Sequence, residues 1–402
     1  MRGPWLTAVL GSILLVGIVV VALTGLLSYA AYDPRLSGND LTPQHGLLGF
    51  YLFNWPTHPS WLYAANQGIH VTLGIVLVPV LLAKLWSVIP RLFEFPPLRS
   101  PAHALERLSV AVLVGSALFE FATGIVNVQL YYPFHFSFYT GHFYGAWVFL
   151  AAFVVHVAVK LPSVAESYRV RGVLKPLLDD LAHTRPEPLI DGGLVAVSPS
   201  APTISRRGLL GLVGGGSLAL LAVTVGQSIG GPLRRLALLA PHGRDLGSGP
   251  NDFQINTTAA AARIGMAETG PSWRLALVGA RSRRFSRAQL MALPQHRASL
   301  PIACVEGWST TQHWSGVSLR DLAVMAGIER PTLTVITSIQ KRGVFSHATL
   351  SANQILDDRS LLALCVNGVD LSLDHGFPAR IIVPGAPGVH QTKWVGAIEF
   401  RA

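Results

Sequence analysis

Three histidines stand in stretches that hydrocarbon would surround. His70 lies between Asp40 and Lys84, a run without charge, and His142 and His156 lie between Arg107 and Lys160, where Glu120 is the only charged residue. An imidazole in a lipid-spanning segment is costly and is therefore a functional group by default. The fourteen residues from His142 to His156 rotate an α-helix by ~1,400°, about 40° short of whole turns, and rise ~21 Å. Both rings thus face one side of a helix near opposite leaflets. A second group is Cys304-Val-Glu306-Gly-Trp308, which contains one of only two cysteines. Alone, Cys304 reads as a small buried hydrophobe or as a soft donor for a metal.

The elements that must carry these residues follow from composition. Half of the 402 residues are hydrophobic, 13% are charged and the mean hydropathy is +0.44, whereas soluble domains carry about 25% charged residues. A multi-span membrane protein is implied. Two cysteines exclude a disulfide scaffold and any four-cysteine zinc or iron–sulfur site. Spans are expected near residues 6–30, 68–89, 105–128, 142–162 and 208–229, with 129–141 an aromatic interfacial break containing Pro133 and Gly141. Lys84, Arg91, Arg99 and Arg107 fall in one loop; Lys160, Arg169, Arg171, Lys175, Arg185, Arg206 and Arg207 fall in another on the same side. By the positive-inside rule the N-terminus is cytoplasmic and everything after the fifth span lies outside a bacterial cytoplasmic membrane. The net charge of +10 is then largely topological, and nucleic acid is not an expected partner.

Residues 1–165 form the four-helix transmembrane domain of this reading, and 166–205 a proline-punctuated cytoplasmic linker (Pro176, Pro186, Pro188, Pro199, Pro202). Residues 206–230 hold the fifth span. It opens on Ser205-Arg206-Arg207-Gly208-Leu209-Leu210, which looks like a twin-arginine signal for the export machinery or, more plainly, a pair of topological anchors. From 250 to 402 the hydropathy is that of an extracytoplasmic globular domain. Strands are expected at Trp273–Val278, Leu333–Ile336 and Arg380–Val383, and helices at Ser286–Leu293, Ser318–Ala326 and Ser351–Asp357, each opened by a capping serine. This is an α+β pattern.

Within that domain, CVEGWSTTQHWSGVSLRDLAVMAG (304–327) and NGVDLSLDHGFPARIIVPGAPGVHQTKWVGAIEF (367–400) resemble the sulfite-oxidase fold of molybdopterin enzymes, and FQIN (253–256) and WRLALVG (273–279) extend the likeness over nearly the whole tail. Within the fold, the catalytic subunit of periplasmic methionine-sulfoxide reductases is the more similar branch. The resemblance implies Cys304 as the molybdenum thiolate, with two further sulfurs from a pyranopterin. It implies Glu306 and Trp308 as pocket residues, or structural ones, and Asn256, His313, His375, Arg380, His390 and Lys393 as cofactor-binding candidates for the pterin and its phosphate. In the sulfite-oxidising branch an arginine follows the cysteine closely; here Glu306 stands near the metal and disfavours an oxyanion. Cys365 reads as core, with a disulfide to Cys304 as the alternative.

The bundle resembles di-haem membrane cytochromes b at the level of histidine spacing. On that likeness His70 and His142 hold an outer haem b; His156 would hold an inner one, for which His103 is the remaining partner. His45, His58 and His135 read as loop residues, and Lys84 and Arg107 as propionate partners or snorkelling side chains. The expectation is thus a five-span α-helical membrane bundle followed by an α+β molybdopterin domain. It would be an oxidoreductase passing electrons between the quinone pool, one or two haems and molybdenum to reduce S-oxides or N-oxides. Sulfite oxidation with reverse electron flow and a non-catalytic anchored interaction domain are the alternatives.

Overall fold

The computed structural model describes residues 3–36, 38–39, 53–92, 100–184, 201–341, 343 and 346–402; His45, Arg99, Arg185 and the linker from 185 to 200 fall outside the described residues. The chain divides into two compact units, one of Met1–Leu23 and His70–Val223, the other of Thr24–Ile69 and Thr224–Ala402.

Six helices account for the apolar segments: α1 (Pro4–Ala31), α2 (Leu62–Val76), α3 (Val78–Leu92), α4 (Pro101–Val128), α5 (Phe138–Arg171) and α6 (Arg206–Thr224). Five stretches, Pro4–Ala31, Leu62–Ile89, His103–Val128, Phe138–Arg171 and Arg206–Ile229, are long and apolar enough to cross a membrane. The second is divided between α2 and α3 because Pro79 has no N–H to give the preceding turn. Two boundaries depart from expectation. Helix α2 begins at Leu62 rather than near 68, so His70 lies in its third turn and not its first. The helix tolerates Asn66 and Gln67 because each has a partner: Asn66 Nδ2 donates to Thr24 O (2.9 Å) and Gln67 Oε1 accepts from Ser28 Oγ (2.6 Å). Helix α5 runs past residue 162 to Arg171 and stops where Gly172 turns to φ 73°. Hydropathy marks the edge of lipid, and a helix can run on beyond it. Trp5, Leu6, Leu10, Leu14, Leu77, Leu81 and Phe149 form the first unit's core.

Among the described residues the second unit holds ten strands: β1 (Leu275–Val278), β2 (Arg283–Phe285), β3 (His296–Ala303), β4 (Ser309–Ser318), β5 (Leu333–Ser338), β6 (His347–Ser351), β7 (Leu361–Val366), β8 (Val369–Asp370), β9 (Arg380–Ile382) and β10 (Val395–Arg401). One sheet has the order β2-β1-β10-β5-β6, with β1 and β10 parallel. The other runs β3-β4-β7-β8, with β9 also on β7. Two of the expected serine caps are in place, Ser286 and Ser318 accepting from the backbone N–H of Gln289 and Asp321, whereas Ser351 precedes the helix Ala352–Leu356 without a side-chain capping bond. Leu277, Val317, Leu322, Ile336, Leu362, Ile381 and Phe400 belong to the main core.

This unit also recruits the segment between the first two spans. Asn39 exchanges two bonds with the backbone of Thr349 on the edge strand β6 (2.8 and 2.9 Å), and Trp55 Nε1 donates to Gly385 O (2.7 Å). Such side-chain-to-backbone bonds protect a strand edge but leave no hydropathy pattern to read.

Candidate molybdenum site

Strand β3 ends at Ala303 and β4 begins at Ser309, with those two residues in register. The turn between them is closed by Cys304 N–H donating to Trp308 O (3.1 Å) and Gly307 N–H to Cys304 O (3.0 Å). Gly307 has φ +86°, a conformation that disfavours a side chain. Cys304, Glu306 and Trp308 are buried at this tip. Burial, and next the charge of Glu306, hold the Cys304 thiol well above its ordinary range. Burial likewise raises the Glu306 carboxyl, which bonds to the thiol.

The closing segment lies against the same turn. A Cβ on Gly388 would stand 2.8 Å from Ala303 O, so the backbone there tolerates only hydrogen. Gln391 Nε2 donates to Pro301 O at 3.3 Å. His390 is buried and meets the Tyr32 ring edge-on at 5.8 Å. Arg380 donates to the carbonyls of His375 and Gln391 (3.1 and 3.2 Å), and its guanidinium lies 5.3 Å from the Trp314 ring centroid. Lys393 reaches Thr257 O and Asp374 O. His375 stacks on Phe253 at 3.6 Å and its Nε2 pairs with Asn251 O. Burial lowers all four: His375 to about 4, with help from the Arg380 charge; His390 to about 4; Arg380 to about 9; and Lys393 to about 7, again with Arg380 contributing.

These residues fit a large, anionic, acceptor-rich group. Arg380 Nε, both ring nitrogens of His390, Gln391 Oε1 and Thr392 Oγ1 are buried without a partner. Orphaned buried polar atoms cost about 1–3 kcal/mol each and mark a place for a ligand. An anion would also restore the depressed protons of Lys393 and Arg380. Among the described residues no three His, Cys, Asp or Glu side chains converge on a metal position. A metal on Cys304 would therefore take its other donors from an organic cofactor, as a pyranopterin dithiolene provides.

Two expected cofactor residues stand apart. His313 is exposed on β4, paired in register with Ser299, because strand alternation turns Trp314 inward and His313 out. Its place is four residues along β4 from the Cys304 tip, roughly 13 Å at strand rise. Asn256 is half-buried and its Oδ1 caps the backbone N–H of Thr257 (2.8 Å). Cys304 and Cys365 are both free thiols; Cys365 lies 3.6 Å from Asp370 Oδ1, which removes the disulfide alternative.

In the helical unit the His70 and His142 rings stand 6.3 Å apart, centroid to centroid, at 86°. His70 Nδ1 pairs with Val21 O (3.0 Å), and His142 Nδ1 with Thr123 Oγ1 (3.0 Å) and Glu120 Oε2 (3.1 Å). His156 has Lys84 and Lys160 as electrostatic neighbours. His103 opens α4, its N–H held by Ser100 Oγ. Lys84 Nζ donates to Thr7 O (2.6 Å). His135 is exposed, and His58 faces Asp357 at 3.3 Å.

Sequence reasoning missed several side chains around the turn. Tyr63 is buried within electrostatic reach of Cys304 and Glu306. Gln67, Gln227 and Ser228 bond to the turn's backbone, and the His242 ring meets Trp308 edge-on at 5.2 Å. The only available signal was the polar pair Asn66-Gln67 inside an apolar run.

Residues 264–402 match the family model described as the oxidoreductase molybdopterin binding domain. An uncharacterized oxidoreductase of Bacillus subtilis is 32% identical over 117 residues, 29% of this chain and 58% of that protein. Mitochondrial sulfite oxidase of Rattus norvegicus is 30% identical over 160 residues, 33% of this chain and 29% of the relative. An NADH nitrate reductase of Volvox carteri is 34% identical over 101 residues, 22% of this chain and 12% of the relative. The chain thus spans well under two thirds of each. Its C-terminal part is an α+β oxidoreductase domain of the sulfite-oxidase type, with molybdenum-molybdopterin as its cofactor.

Proposed function

We propose that the chain is a membrane-bound molybdopterin-dependent oxidoreductase. It exchanges electrons between the quinone pool, haem b and an outer-face molybdenum centre, and reduces neutral S-oxides or N-oxides. The observation that carries the reading is the buried Cys304 turn facing orphaned polar groups on the closing segment. Cys304 would ligate molybdenum, and Arg380, Lys393 and His390 would hold the pterin and its phosphate. Bound there, the cofactor supplies two-electron oxygen-atom exchange. The chain's own part is to bind, orient and exclude water: Trp308 and Glu306 are buried beside Cys304, and a carboxyl rather than a cation at this place weighs against an anion such as sulfite.

The haem assignment rests on the His70–His142 pair. Two metal–nitrogen bonds of about 2 Å, with roughly 1.1 Å from each ring nitrogen to its centroid, total about 6.2 Å, close to the 6.3 Å between the two rings. Nδ1 of each ring is paired, with Val21 O and with Thr123 Oγ1, and such a second bond is what orients a metal-ligating histidine. An inner haem at His156, with His103 as partner, is supported by spacing alone. We further propose a bacterial cytoplasmic membrane location, an N-terminus inside, the tail outside and the twin-arginine pair as its export signal. We keep the division into a bundle (1–165), a linker (166–205), a fifth span (206–230) and a tail (250–402) as part of this proposal; the compact units group Thr24–Ile69 with Thr224–Ala402.

Sulfite oxidation is the second reading, favoured by the likeness to rat sulfite oxidase. Purification from membranes, metal, pterin and haem analysis, and a screen of S-oxides, N-oxides and sulfite decides among these readings. Absence of molybdenum would sink all of them.

A further inference from the structure

Three consecutive carbonyls of the Cys304 turn accept bonds from side chains outside residues 264–402. Gln67 Nε2 donates to Val305 O (2.7 Å), Gln227 Nε2 to Glu306 O (3.2 Å) and Ser228 Oγ to Gly307 O. Gln67 belongs to α2; Gln227 and Ser228 belong to the short helix Gly226–Ile229 that follows the fifth span. Ser309 Oγ completes the set by donating back to Ser228 O (2.7 Å).

The donors are fixed rather than opportunistic. Gln67 is 3% exposed and Gln227 1%, and Gln67 Oε1 is itself held by Ser28 Oγ. The two carrier segments meet at Gly68, where a Cβ would come within 3.1 Å of Ser228 Cβ. Gly226 is equally constrained, since a Cβ there would stand 2.0 Å from Leu233 O. A turn of five residues has few bonds of its own, and here every outward carbonyl from 305 to 307 has a dedicated donor.

We infer that Gln67, Gln227 and Ser228 are positioning residues that fix the Cys304 turn, so that the metal-binding geometry of the molybdopterin domain is set by segments next to the membrane spans. The inference rests on the proposed role of Cys304 as ligand. It gives the fusion a physical purpose: the same helices that carry the chain through lipid hold the thiolate in place. Outer partners of metal ligands are commonly worth 10- to 100-fold in metal affinity or activity.

The test uses the full chain in detergent or nanodiscs. Gln67→Leu and Gln227→Leu keep side-chain volume and remove the donor; Ser228→Ala removes one oxygen and keeps the packing. Amide exchange over residues 304–309 should become several-fold faster in each while the strands β5 and β10 exchange as before. The molybdenum EPR signal should change shape, and turnover should fall about 10- to 100-fold. Ser228→Ala guards against a folding failure in the larger changes. Unchanged exchange and an unchanged signal in all three variants would overturn the inference. Cys304→Ser, measured alongside, separates the two ideas: if its molybdenum EPR signal and turnover match the wild type, the ligand assignment fails, whereas the exchange result still judges the clamp.

Discussion

The imidazoles of His70 and His142 face each other perpendicularly at 6.3 Å, each anchored through Nδ1. They come from α2 and α5, 72 positions apart, and no local pattern in the chain ties them. The likeness to di-haem cytochromes pairs His142 with His70, and the structure brings the two rings together. Replacing either His70 or His142 by alanine should remove one low-spin haem per protein and abolish quinol-driven turnover. Activity with an artificial small-molecule donor should persist. Unchanged haem content in both variants counts against the pair.

Cys304→Ser should abolish turnover and alter the molybdenum EPR signal while the haem absorbance stays intact, because Cys304 and the histidines lie in different units. Glu306→Gln, which keeps shape but removes the charge, should retain the metal and relax the bias against anionic substrates. The checks are metal content and relative kcat/KM for sulfite and a neutral S-oxide. A Glu306→Gln enzyme with an unaltered preference would remove Glu306 from the pocket's selectivity.

How much of this was legible in the sequence depends on the range of the interaction. Ser286 and Ser318 announced their helices because capping is a local bond, and the five apolar stretches were plain from charge spacing. Family motifs singled out Cys304, Glu306, Arg380 and His390, which are buried in the structure. They singled out His313 as well, which is exposed, because a motif preserves order and not the face of the strand: it stands one position from the inward Trp314. The Thr24–Ile69 segment escaped because Asn39, Trp55 and Gln67 bind backbone hundreds of residues away, and such bonds have no periodicity.

Trp314 is 1% exposed, donates Nε1–H to Leu300 O at 3.1 Å and lies within cation–π reach of Arg380. Trp314→Ala should destabilise the tail by about 3–5 kcal/mol through cavity formation and an orphaned carbonyl. Pterin retention should fall with it, since Arg380 loses the ring against which it packs. Denaturant unfolding of the purified chain measures the first and released pterin the second; a loss under about 1 kcal/mol would contradict the packing argument.

Arg206 is 2% exposed and its Nη1 lies 3.4 Å from Asp179 Oδ2, so one of the two arginines has a structural partner besides any signal role. Arg206→Lys with Arg207→Lys keeps both charges. If the pair is an export signal, the tail should remain inside while the earlier spans insert normally. Protease accessibility of the tail in intact spheroplasts reads this out, and a tail cleaved as in the wild type would make the pair a topological anchor.

Asp357 supplies a pH-dependent element that ties the 24–69 segment to the tail. Burial alone would raise its carboxyl, but the bonds from Arg359 Nε (3.0 Å), Nη2 (2.8 Å) and backbone N–H (3.0 Å) outweigh that and hold it below its ordinary value. Arg359 Nη2 also donates to Thr57 O (3.1 Å), so the carboxylate fixes the arginine that holds the incoming segment. A carboxyl lowered in the folded state contributes stability that is complete above its unfolded value, about 3.9, and that fades as pH falls through the folded one. Asp357→Asn should therefore cost roughly 1 kcal/mol at neutral pH, a modest figure because Arg359 is partly exposed. It should cost nothing once the wild-type carboxyl is protonated. Tm measured from pH 7 down to pH 3 should show the two proteins converging at the acid end. Parallel curves would mean that Asp357 is not charged in the folded chain, and a stabilised Asp357→Asn at pH 7 would mean that its burial outweighs the arginine.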